Sequence, residues 1–81
     1  MRIPRKLKLR GRTIRVRHVK MDDLGIADFA KSEILLKKGM KREAKEATLI
    51  HEILHHINST LPHTTVDSLA EQLYQVFKQL H

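Results

Sequence analysis

Apolar and polar residues alternate over residues 5–19. Leu7 and Leu9 fall between Lys6, Lys8 and Arg10, and Ile14 and Val16 alternate with Arg15 and Arg17, with Gly11 between the two runs. A period of two belongs to a half-buried strand, and a glycine between two such runs supplies a turn. The pattern predicts a β-hairpin with one apolar face and one strongly basic, wet face. Met21-Asp22-Asp23-Leu24-Gly25 reads as a connector. Ile26 to Phe29 reads as a short strand and Glu33-Ile34-Leu35-Leu36-Lys37 as another, closed by Lys38-Gly39.

From about Lys41 the period changes. Ala47, Ile50, Leu54 and Ile57 fall at helical spacing, and Ala44 and Leu49 widen the apolar surface. This helix should end near Asn58 or Ser59, because Leu61 precedes a proline and that position avoids helical dihedrals. Thr64 or Thr65 is the expected N-cap of a last helix, with Val66, Leu69, Ala70, Leu73, Val76, Phe77 and Leu80 as its apolar stripe. Strands first and helices after predict an α+β fold. The expected architecture is a small antiparallel sheet, made of the hairpin plus one or two short strands, packed by two C-terminal helices that form a helical hairpin.

The chain has 81 residues, which suits one domain over 1–81. Domains this small often lean on a metal, a disulfide or a partner. There is no cysteine, so disulfides and thiolate metal sites are excluded, but there are six histidines. No apolar run follows the basic start, so no secretory signal is expected, and no stretch is long enough to cross a bilayer. These features together fit a cytoplasmic address without membrane contact.

The net charge is +7, from 16 Lys and Arg against 9 Asp and Glu. The excess is concentrated at the start: Arg2, Arg5, Lys6, Lys8, Arg10, Arg12, Arg15, Arg17 and Lys20 precede the first acid, Asp22. Such a segment is either the solvated face of the strands or a contact surface for nucleic acid.

The sharpest chemical signal is His51-Glu52-Ile53-Leu54-His55. Two histidines four residues apart on a helix lie on one face and can share one Zn²⁺. Glu52, beside the first ligand, is placed to take a proton from water activated by the metal. His51 and His55 lie with Thr48 and Asn58 beside the apolar stripe. A third ligand is needed to leave one position open. Asp67 and Glu71, at i and i+4 on the last helix, are the candidates, and Tyr74 continues their face. Helical-hairpin geometry does not separate the two acids. Negative charge near a helix N-terminus is favourable in any case.

The segment Thr48-Leu49-Ile50-His51-Glu52-Ile53-Leu54-His55-His56-Ile57 resembles the zincin metallopeptidases, specifically the minimal gluzincin-type domains of phages and prophages. The last helix, Val66 to Val76, and the opening Ile3-Pro4-Arg5-Lys6-Leu7-Lys8-Leu9 with Gly11 are similar to theirs as well. The likeness covers most of the chain. It implies a zinc peptidase acting on a peptide or protein substrate in a bacterial host cytoplasm, with one zinc per chain. His51 and His55 would be ligands and Glu52 the general base. The family's third ligand is an acid three residues before an alanine. That position is Asp67, ahead of Ala70, although the family usually has Glu there. Glu71 would then hold a ligand histidine, with the reverse assignment in reserve. In larger zincins an extra His or Tyr steadies the oxyanion; His56, His63 and Tyr74 are candidates by proximity alone and none is assigned. The family binds substrate along an edge strand, here expected near Ile34 to Leu36. Other functions weighed against peptidase activity are a nucleic-acid-binding module built on the basic hairpin and a zinc-stabilised scaffold without turnover.

Overall fold

The computed structural model describes residues 2–80. Two alternating segments form β1 (Lys6–Leu9) and β2 (Arg12–Val19), paired antiparallel with Leu7 opposite Ile14. Arg10 and Gly11 turn between them with φ of 54° and 79°. Positive φ at both central residues is the signature of the tight hairpin turn whose twist matches the strands, and it explains the glycine.

The next strands are β3 (Gly25–Asp28) and β4 (Glu33–Lys37), and they form an antiparallel pair. The sheet order is β1-β2-β4-β3, with β2 and β4 parallel. The α+β class and the strand set are as the sequence implies, but the sheet is mixed where an antiparallel one was expected. Alternation reports which face of a strand is buried and says nothing of the direction of its neighbours. Here residues 20–24 carry the chain past the end of β4, so β4 slots between β2 and β3. The crossing is fastened by Lys37 N–H to Leu24 O (2.9 Å) and Lys38 N–H to Val19 O (2.9 Å).

The interior position of β4 explains its unbroken apolar run, since Ile34 and Leu36 are fully buried. They form the first core cluster with Ile14, Val16 and Leu49. Each such side chain contributes about 1.5–3 kcal/mol of burial.

Leu49 belongs to α1 (Arg42–Ile57), which lies on the inner face of the sheet. Helix α1 is two-faced. Leu49 and the partly buried Ile53 meet the sheet, whereas Ile50 and Leu54 meet Val66 and Ala70 of α2 (His63–Leu80) in a second cluster. A single stripe was expected, and Ile57, assigned to it, is exposed.

Helix α2 packs chiefly on α1. It starts at His63, ahead of the expected Thr64 or Thr65 cap, because Pro62 already provides the first helical acceptor: Val66 N–H donates to Pro62 O at 3.0 Å. Only Val66 and Ala70 of its apolar stripe are buried, while Leu69, Leu73, Val76, Phe77 and Leu80 face solvent. Among the described residues, no helix is long and apolar enough to cross a membrane.

Candidate metal centre

The one-turn spacing of His51 and His55 on α1 brings their rings to 4.7 Å between centroids and their Nε2 atoms to 3.1 Å. Two nitrogens on a tetrahedral zinc, at about 2.1 Å each, are separated by about 3.4 Å. The pair is therefore close to ligand geometry before any third group is considered.

Two side chains of α2 complete the cluster. The ring of His63 stacks on that of His51 at 5.8 Å and meets His55 edge-on at 4.9 Å. One ring nitrogen from each of His51, His55 and His63 lies within 4.8 Å of the others, and this is the one such group of three among the described residues. Asp67 approaches from the far side of His51, with Oδ1 3.0 Å from Nδ1. An Nδ1–H donated to that carboxylate leaves the His51 Nε2 lone pair facing the other imidazoles, the arrangement in which a carboxylate orients a metal-binding histidine.

Sequence reasoning placed Asp67 or Glu71 in the third ligand position. The structure brings His63 among the ring nitrogens, sets Asp67 against the back of His51 and leaves Glu71 on the wall of the cleft. The signal for His63 was available. His63, Asp67 and Glu71 are successive steps of four, so one face of α2 carries all three.

Burial lowers the pKa of His51, with Asp67 opposing and His63 reinforcing the effect. Burial also lowers that of His55, aided by His51 and His63. Both shifts favour the neutral ring, the form that binds a cation. The donor set of neutral imidazoles backed by a carboxylate fits zinc.

Glu52 is 6% exposed, on the wall of the same cleft. Burial, and secondarily the charge of Asp67, push its carboxyl up to about 7. Gly25 of β3 makes room for it. A Cβ on Gly25 would stand 2.5 Å from Thr48 Cγ2 and 2.9 Å from Glu52 Oε2.

The cleft has a volume of about 890 Å³ and lies among α1, α2 and β3. Among the described residues its walls carry Asp23, Asp67 and Glu71 besides Glu52, and no lysine or arginine, although the chain as a whole is strongly basic. The strand at its side is not the one anticipated. Ile34 to Leu36 belong to the central β4, whereas the sheet edge on the cleft is β3, contributing Gly25, Ile26 and Ala27. An apolar run without alternation is what a strand flanked on both sides displays, which is why Ile34 to Leu36 lie inside the sheet and not at its edge.

The remaining oxyanion candidates separate. His56 Nε2 lies 2.9 Å from Glu33 O, its ring set edge-on to Phe29, and it is not part of the cleft. Tyr74 lines the cleft but donates its hydroxyl to Glu46 Oε1 at 2.8 Å. Burial and that bond push the Tyr74 phenol up to about 12. The same bond, the largest influence on Glu46, holds the buried carboxyl below its ordinary range. No sequence signal pointed to this pairing, which joins α2 to the first half of α1.

Comparison of the chain with family models, with curated proteins and with solved structures finds no match.

Proposed function

We propose that the protein is a zinc-dependent metallopeptidase that hydrolyses peptide bonds in the cleft among α1, α2 and β3. The observation that carries this reading is the convergence of the His51 and His55 Nε2 atoms at 3.1 Å with a buried glutamate next to one of them. His51, His55 and His63 would hold one zinc, with Asp67 fixing the orientation of His51. Zinc, when bound, supplies Lewis acidity toward a carbonyl oxygen and toward water.

The chain's own groups supply the rest. Glu52 takes the proton of the attacking water and returns it to the departing amine, so that one O–H and one C–N bond break as one C–O and one N–H bond form. Its near-complete burial keeps the carboxylate from being solvated away from that task. Among the described residues no strand lies beside the outer edge of β3, and an extended peptide can pair there, which brings its backbone along the cleft. The acidic, lysine-free walls favour a peptide with cationic side chains over an acidic one.

Full-length protein incubated with a mixture of quenched fluorescent peptides tests the proposal. Cleavage that stops with chelator, returns with zinc and is absent in Glu52→Gln supports it. A Glu52→Gln variant that cleaves as fast as wild type removes Glu52 as the general base, and wild-type protein that binds zinc but cleaves no peptide points instead to a zinc-stabilised scaffold without turnover.

A further inference from the structure

We propose that the open face of the β1–β2 hairpin is a docking surface for duplex nucleic acid, gripping phosphates without reading base sequence. The inference is independent of the zinc chemistry. Ile14 and Val16 of β2 point into the core, and the intervening Thr13, Arg15 and Arg17 are exposed, as are Lys6 and Lys8 of β1. Helix α1 packs on the inner face through Leu49 and Ile53.

Toward β4 the face holds an acid, Glu33, in register with Arg15, but between β1 and β2 its charges oppose one another. Lys6 is the direct cross-strand partner of Arg15, and Lys8 is that of Thr13. Like charges directly opposite on one face destabilise a strand pair. Among the described residues no ion pair joins Lys6, Lys8 or Arg15 to an acid. Only Arg17 has such a partner, Glu33 Oε1 at 3.6 Å. No acid precedes Asp22, so the first two strands offer no internal compensation. An anionic partner removes this repulsion, and the arginine forks match phosphate oxygens.

The composition of the face selects among polyanions. Apart from the half-buried Val19 at the end of β2, its outward residues are polar or charged, so it offers no apolar cluster to insert into the acyl region of a bilayer. It also lacks an aromatic platform on which unpaired bases could stack. Phe29 packs on His56, while Tyr74 and Phe77 belong to α2. A duplex, which presents phosphates and keeps its bases stacked, is the polyanion that remains. The surface and the acidic cleft lie toward opposite edges of the sheet, β1 and β3, so a bound duplex leaves the cleft open.

The test is fluorescence anisotropy of a random-sequence duplex with full-length protein, with and without zinc, as KCl is raised from about 50 to about 200 mM. Wild type should bind the duplex more tightly than the matching single strand, and equally with or without zinc. In the triple variant Lys6→Gln, Lys8→Gln, Arg15→Gln, binding should weaken about 10- to 100-fold at about 100 mM salt, and the slope of log K against log salt should fall by about 2 to 3. That variant should melt no lower than wild type at low salt, because cross-strand repulsion is gone. If it does not fold, Lys6→Gln and Lys8→Gln singly should each lower the slope by about 1. A control triple, Lys31→Gln, Lys38→Gln, Lys41→Gln, should leave the slope within about 1 of wild type. Absence of duplex binding at the lowest salt overturns the proposal. So does an equal loss in the control triple, a preference for the single strand, or binding to phosphatidylserine vesicles without binding to the duplex.

Discussion

The Nδ1 atom of His51 lies 3.0 Å from Oδ1 of Asp67, a residue that is two-thirds exposed and belongs to the other helix. That contact makes the rotamer of one proposed ligand depend on the docking of α2 against α1. It also gives Asp67 a role distinct from that of His63, whose ring reaches the nitrogens directly.

The two roles should separate in zinc affinity. Asp67→Ala removes an orienting carboxylate, which is worth about 10- to 100-fold. His63→Ala removes a ligand and should lower affinity further, while Glu71→Ala should have the smallest effect of the three. Competition titration against a chromophoric chelator measures all three constants. An Asp67→Ala loss larger than that of His63→Ala would exchange the assignments.

Glu52 should oppose folding of the metal-free protein. Its pKa is raised from 4.5 to about 7 by burial, so its stabilising share is present below pH 4.5 and is lost as pH rises through about 7. Above that, the chain holds a desolvated carboxylate. In chelated protein at alkaline pH, Glu52→Gln should therefore raise stability by on the order of 2 kcal/mol, read by urea denaturation, as activity disappears. Equal or lower stability of the variant would show that the carboxylate is solvated.

The Tyr74–Glu46 hydrogen bond should tie stability to both ends of the pH scale. Tyr74→Phe leaves a buried carboxylate with one donor fewer, at a cost of about 1–3 kcal/mol near neutrality. The phenol's pKa is raised from 10.0 to about 12, so its contribution is complete below pH 10 and fades as pH climbs through about 12. Glu46 is shifted downward, so its contribution is present above pH 4.5 and fades in more acid solution. The gap between wild type and variant should narrow in both directions. A gap constant across pH would remove the bond from the account.

Gly25→Ala should damage the site through packing alone. The added methyl would sit 2.5 Å from Thr48 Cγ2 and 2.9 Å from Glu52 Oε2, so strand, helix or glutamate must shift. The expected loss is about 1–3 kcal/mol of stability, with cleavage reduced more than zinc content. Unchanged activity would mean that Glu52 does not need its present position.

Much of this was legible in the residues, and what was not has physical reasons. The hairpin, the two helices and the pairing of His51 with His55 are local consequences of periodicity and of one-turn spacing. The direction of β4 relative to β2 depends on where residues 20–24 lead the chain, which no side-chain pattern encodes. The exposure of Leu69, Leu73 and Val76 escapes an amphipathic reading, since periodicity shows a stripe without showing what covers it. The sequence offers His63 for the oxyanion and not as a ligand, because its place at the very start of α2 depends on where the helix begins, which periodicity leaves open by a residue or two.

The most direct test of the central claim is the zinc content of full-length protein by elemental mass spectrometry, set beside that of a His51→Ala, His55→Ala double variant. One zinc per chain is expected in wild type and none retained in the double variant after dialysis. A wild-type protein that takes up no zinc when it is supplied, or a double variant that holds as much, would contradict it.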